Sequence, residues 1–192
     1  MVSALTTPVV LIFFNPPERT AEVFATIRAA RPAQLFVIAD GPRLIRKSDA
    51  SKCSAARAII EQVDWPYQIL RRFSEHNIGL RQNVSEGLDW VFSQVKQAII
   101  LEDDCLPDSS FFPFCETLLG RYAPDREVAM IGADAVPVAS SERKIVNATA
   151  DRYVQENFFE GNYSLATFIL EAAPAVANLA RAPRAALARP LR

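Results

Sequence analysis

The chain predicts an α/β fold: a Rossmann-like three-layer sandwich built on a mostly parallel sheet. Short continuous apolar runs alternate along it with segments of helical periodicity. The connections between them are short, which favours strands that lie side by side with helices on both faces. Polar residues also gather where the apolar runs end, and in such sheets ligands bind at the carboxyl ends of the strands.

The elements follow in order. Residues 8–14, "PVVLIFF", form an apolar run rich in β-branched residues, as suits a strand covered on both faces. Residues 18–30 read as a helix, with Ala21, Phe24 and Ile27 at helical spacing and acidic or capping-competent groups at the start. "QLFVIAD" (34–40) is a second buried strand that ends at Asp40 and the turn pair Gly41-Pro42. Residues 48–63 read as a helix with a polar start. Residues 67–73, "YQILRRF", form a more polar third strand nearer an edge. Residues 81–95 carry the clearest helical pattern, with Val84, Leu88, Val91, Phe92 and Val95 on one face. "QAIILED" (97–103) is the fourth strand, residues 109–122 a helix with an early proline, and residues 128–133 a fifth strand.

Composition narrows the function classes. Of the 192 residues, half are apolar and the net charge is −1, which disfavours a nucleic-acid binder because such a domain normally carries a basic patch or stripe. No apolar run approaches the roughly 20 residues of a membrane span, so any membrane association would be peripheral. The N-terminal stretch lacks the basic flank and cleavage site of a signal peptide. Three scattered cysteines without a CxxC read as free thiols of a cytoplasmic protein. GxGxxG, GxxxxGK[ST] and GxSxG are all absent.

Three stretches carry candidate chemistry. In "AIILEDDCLPDSSFF" (98–112), Glu102, Asp103 and Asp104 follow a buried strand directly. Adjacent carboxylates repel, and a hard divalent cation such as Mg²⁺ or Mn²⁺ would offset that cost. The alternative is a solvated acidic turn before a helix that Asp108 and Ser109 can cap by themselves. Asp40 in "ADGPR" can bond a ribose hydroxyl or a base edge, or it can hold its own loop in an Asx turn. In "SEHNIGLRQN" (74–83), a helix start beside Arg81 suits a phosphate or pyrophosphate, with a ligand-free loop as the alternative. His76, the lone histidine, reads as structural or surface.

Taken together, "LIFFNPPERT", "VIADGPR", "NIGLRQNVSEGLDWVF" and "AIILEDDCLPDSSFF" resemble, in that order, the GT-A glycosyltransferases of the nucleotide-diphospho-sugar transferase type. The run of acids followed by a proline is similar to that of N-acetylglucosaminyltransferase I-like and bacterial family-two-like enzymes. The resemblance covers roughly residues 8–163 and implies transfer of a sugar from a nucleotide-diphosphate donor, such as a UDP-sugar, with a divalent metal as cofactor. It implies that Phe14, Asn15 and Arg19 line the nucleotide side and that Asp40 meets uracil or ribose. Asn77 would join the donor site, and Arg81 would approach the diphosphate. Asp104, with Asp103 and Glu102 beside it, would hold Mn²⁺ or Mg²⁺. The acceptor (a glycan, a lipid-linked sugar or a protein) stays open.

The chain departs from that pattern after "RYVQENFFEGNYS" (152–164), where the family would continue with an aromatic-rich segment. Residues 164–192 are instead dominated by alanine, arginine, leucine and proline, a composition compatible with a short helix through about Leu179. We therefore expect a donor domain over 1–163 with an incomplete acceptor part, and an atypical tail over 164–192, as in a truncated transferase. Glu156 and Glu160 are the nearby carboxylates available as a catalytic base. A non-catalytic remnant that binds a nucleotide or a partner is the alternative.

Overall fold

The structure, a computed structural model, describes residues 5–108, 110–124, 130–133 and 166–169. Among the described residues, the elements are strand β1 (Val9–Phe13), helix α1 (Pro17–Ala30), β2 (Gln34–Ala39), α2 (Lys47–Ile60), β3 (Gln68–Phe73), α3 (Leu80–Phe92), β4 (Ala98–Glu102), α4 (Phe111–Tyr122), β5 (Met130–Ala133) and β6 (Ala166–Ile169). The sheet order is β3-β2-β1-β4-β6-β5. β3, β2, β1 and β4 run parallel, whereas β6 pairs antiparallel with both β4 and β5. This is the mostly parallel Rossmann-like α/β sandwich that the alternation of runs predicts.

The strands explain the layers. β1 is buried along its whole length, so it must be apolar on both faces. Alternate residues then divide between two cores. Val9, Leu11, Phe13, Leu35, Val37, Ala39, Ile99 and Leu101 pack with Val23, Phe24 and Ile27 of α1, Ala56 and Ile60 of α2, and Phe111, Cys115, Leu118 and Leu119 of α4. Val10, Ile12, Phe36, Ile38 and Ile100 face the opposite way and pack with Leu88 and Val91 of α3. Among the described residues, α1, α2 and α4 thus cover one face of the sheet and α3 the other. The ring of Trp90 meets Phe36 edge-on at 5.4 Å. β3 takes the edge position that its polar sequence predicts, and each of its residues keeps some exposure.

Two differences from the sequence reading have clear physical reasons. Leu88 and Val91 of α3 are buried and Val84, Phe92 and Val95 pack against the same core, as expected, but the buried face also takes in Asn83 and Gly87. Gly87 has a clear reason to be there: a Cβ would lie 2.7 Å from Ile38 Cδ1, so the glycine lets α3 sit close on β2. Residues 166–169 form a strand rather than the start of a helix. The sequence Ala-Thr-Phe-Ile suits a strand, and its backbone pairs with the edge that β4 would otherwise leave open. Glu156 and Glu160 lie outside the described residues.

A single carboxylate ties α4 to the start of the sheet. Glu116 Oε1 accepts bonds from the N–H and hydroxyl of Thr6 (3.0 and 2.8 Å) and from the N–H and hydroxyl of Thr7 (3.0 and 3.1 Å). Thr7 is buried, so losing the acceptor strands its donors. Glu116→Ala is therefore expected to lower the unfolding free energy by about 1–3 kcal/mol in urea titration. Glu116→Gln, which keeps an oxygen, should cost less.

Candidate functional site at the carboxyl edge

Because β1 to β4 are parallel, the loops after them open on one edge of the sheet. The connection from β1 leads to β2 on one side, while β4 lies on the other side of β1. The crevice between the ends of β1 and β4 is therefore the topological switch point, where sheets of this kind bind ligands.

Asp103 closes the base of that crevice. Its Oδ2 accepts the backbone N–H of Phe14 at 3.1 Å and joins the end of β4 to the end of β1. Burial pushes the Asp103 carboxyl above its ordinary range, and the neighbouring charge of Asp104 adds to the rise. The Phe14 N–H and the charge of Arg19 act in the opposite sense. Glu102 is half-buried, the last residue of β4, and stands in register with Ile12. Asp104 is exposed beside it. The three acids therefore point to different tasks, with one bonded to the backbone and one presented to solvent. Among the described residues, no three His, Cys, Asp or Glu side chains converge into a metal-binding group. A Mg²⁺-type ion needs only one or two carboxylates when phosphate oxygens and water complete its shell, so the donor set fits a metal carried in with a diphosphate.

Asn15 and Phe14 reach toward the α2 side. Asn15 Nδ2 donates to Asp49 Oδ1 at 2.8 Å. Arg43 binds the same buried carboxylate through its Nη2, at 3.2 Å from Oδ1, and through Nε to Oδ2. The Arg43 guanidinium also lies 5.0 Å from the centre of the Phe14 ring, within cation–π range. Neither Arg43 nor Asp49 stands out in the sequence. The only signals are the arginine directly after Gly-Pro and an acid in the first turn of a helix.

Asp40 is buried, and both its oxygens accept bonds. Oδ1 takes the N–H groups of Gly41 (2.8 Å) and Ile78 (2.9 Å). Oδ2 takes the N–H of Gly79 (3.0 Å) and the Asn77 amide (2.9 Å). Of the two roles the sequence allows it, these bonds describe the loop-holding one. They also give Asn77 its place, since its amide bonds Gly41 O as well, at 3.1 Å. The two loops are so close that a Cβ on Gly41 would lie 2.4 Å from the backbone carbon of His76.

The site splits along the sheet. The Phe14 backbone, Arg19, Glu102, Asp103 and Asp104 lie at the β1–β4 edge, whereas the Asn15 side chain turns to Asp49 of α2. Asp40 and Asn77 form a second group between β2 and β3. Arg81, exposed in the first turn of α3, follows β3, and two strands separate β3 from β4. At the usual strand spacing that is roughly 14 Å. Exposed His76 lines a shallow cleft of about 350 Å³ on the β3 side, with Arg72, Phe73, Glu75, Ile78, Gln82 and Glu86. Cys53, Cys105 and Cys115 are free and buried, and burial pushes the thiols of Cys53 and Cys115 up, away from nucleophilic use.

No protein-family model matches the chain, and no curated protein does. Among solved structures, it overlaps 4-diphosphocytidyl-2C-methyl-D-erythritol synthase from Anaerococcus prevotii at 11% identity, over 85% of this chain and 71% of that one, with a TM-score of 0.47. It overlaps UDP-glucose pyrophosphorylase complexed with UDP-glucose at 11% identity, over 91% and 80%, with a TM-score of 0.39. The apo form of UDP-glucose pyrophosphorylase gives 11%, 90% and 80%, with a TM-score of 0.37.

Two outcomes test this geometry. Gly41→Ala forces a methyl group against backbone, which has no rotamer to yield, so it is expected to destabilise the protein by about 1–3 kcal/mol or more in thermal or urea unfolding. Asp49 gives a pH signature. Its bond with Arg43 holds the carboxyl below the ordinary value of 3.8. The stabilisation is complete above that value and is lost as pH falls through the lower, folded-state pKa. Unfolding midpoints of the natural protein should therefore drop more steeply below pH 3.8 than those of Asp49→Asn.

Proposed function

We propose that residues 1–163 form the donor domain of a GT-A-type glycosyltransferase, which binds a nucleotide-diphosphate sugar, most naturally a UDP-sugar, at the β1–β4 crevice. The observation that carries this reading is the arrangement of Asp103 and Asp104. The first is bonded across the switch point to Phe14 N–H, and the second is exposed at its mouth. The first supports the loop, and the exposure of the second is what would let a ligand reach it.

In this reading, Phe14, Asn15 and Arg19 line the nucleotide side. Asp40 and Asn77 act on the donor by holding the β2 and β3 loops, and Arg81, at the start of α3, would meet only a donor that extends along the edge as far as β3. Asp104, with Asp103 and Glu102 beside it, would hold Mn²⁺ or Mg²⁺, whose charge would favour departure of the nucleoside diphosphate. An acceptor hydroxyl attacks the anomeric carbon, the bond from that carbon to the diphosphate oxygen breaks, and the hydroxyl proton passes to a base. The positive charge of Arg19, which acts on Asp103, would stabilise the leaving group as its negative charge grows.

The test is thermal unfolding with UDP, GDP and ADP, each with and without Mn²⁺. The expected result is stabilisation by UDP only when Mn²⁺ is present, of about 2.7 kcal/mol at a hundredfold excess over the dissociation constant. Asp104→Ala should abolish the response without lowering the unliganded midpoint. If no nucleotide stabilises the protein, or if Asp104→Ala responds like the natural chain, the reading is wrong.

A further inference from the structure

The loop between β2 and α2 presents two of the most exposed apolar side chains among the described residues. Leu44 and Ile45 are 88% and 91% exposed. They occupy the two central positions of a tight turn, in which Arg46 N–H bonds Arg43 O at 3.1 Å. Those positions normally go to proline, glycine, asparagine, aspartate or serine, because a turn tip faces water. Two aliphatic side chains there contribute nothing to the core.

The turn is also held rigid from below. Asp49 accepts the N–H of Arg43 at 3.4 Å together with its guanidinium, and the Asp49 N–H in turn bonds Arg46 O at 3.0 Å. The tip is therefore preformed, and little conformational freedom remains to be lost when it meets a partner. The charges beside it have one sign. Arg46 and Lys47 flank the tip and are exposed, as is Lys52 further along α2. The nearest acid, Asp49, is buried and paired with Arg43.

From this geometry we infer that the Arg43–Lys47 turn is a membrane-docking tip, which inserts Leu44 and Ile45 into the interface of an anionic lipid bilayer while Arg46 and Lys47 meet the headgroups. Apolar insertion combined with flanking cations is the chemistry of peripheral attachment to such surfaces. A protein partner would need a broader apolar surface than two side chains to form a stable interface. The inference does not depend on the transferase reading, since it concerns only the tip.

Sedimentation of the full chain with vesicles tests it. The protein is expected to pellet with phosphatidylcholine–phosphatidylserine vesicles and not with pure phosphatidylcholine, and to be released by salt. The double variant Leu44→Ser/Ile45→Ser should bind at least about tenfold more weakly, and so should Arg46→Glu/Lys47→Glu, which reverses the charges next to the headgroups. Both should unfold at the natural midpoint, because none of the four side chains is buried. Equal pelleting of the natural chain with both vesicle types would overturn the inference, as would unchanged binding by the serine variant. So would a serine variant that loses self-association in solution and keeps its vesicle binding, which would make the tip a contact between copies.

Discussion

The carboxylate of Asp40 is the constraint on which the rest of the carboxyl edge depends. A parallel strand that ends leaves backbone donors with no ladder partner, and in a buried position each must find an acceptor. Asp40 supplies one group for three N–H bonds and an amide, drawn from two loops. That convergence brings the β3 loop against Gly41, where only a hydrogen fits. It also fixes Gly79, whose φ of 87° lies in the region that favours glycine, as the residue that starts α3. With its start fixed, α3 descends over β2, and Gly87 closes the gap to Ile38. Arg57 reinforces the same point from the opposite face by donating to Asp40 O and Ser74 O at 3.1 and 2.7 Å.

The same device recurs along the edge with different partners. Asp103 joins β4 to β1, and Asp49 joins the β1 loop to α2 through Asn15 and Arg43. Each of these acids is half-buried or buried, and each has donors that offset the cost of removing it from water. Structural and ligand-facing acids can therefore be separated by their partners. An acid that already bonds the backbone is a support. Asp104, at the same edge, is exposed to solvent and accepts a weak bond from the Cys105 thiol rather than from the backbone of another strand. Local sequence cannot make this distinction, because Asp103 and Asp104 are identical neighbours.

The buried strands were legible because a strand covered on both faces must be apolar at every position, and "VVLIF", "LFVIA" and "AIIL" satisfy that without long-range information. The polar edge strand β3 was legible for the complementary reason. The apolar face of α3 is legible too, since Val84, Leu88, Val91, Phe92 and Val95 all pack on the core, whereas Asn83 and Gly87 owe their burial to how closely α3 approaches the sheet. At the site, the strand-end positions of Asn15, Asp40 and Glu102 to Asp104 followed from the alternation. Their partners did not, because Asp49 lies 34 residues from Asn15, and Asp103 lies 89 residues from Phe14. Such pairs form only once the loops have been brought to one edge. β6 was missed because Ala-Thr-Phe-Ile sits in a segment whose composition favours helix, and the open edge of β4 outweighs that local preference.

Arg43 links the two regions of the edge that carry separate proposals. Its guanidinium lies over Phe14 at the crevice, and its backbone carbonyl and N–H belong to the turn that carries Leu44 and Ile45. The Asp49 carboxylate holds both ends of this residue at once, so the crevice and the tip are rigid with respect to each other. If the tip enters a bilayer, the carboxyl edge of the sheet is brought to the same surface, because the turn lies on that edge. The brace formed by Arg43 and Asp49 would transmit the orientation from one site to the other.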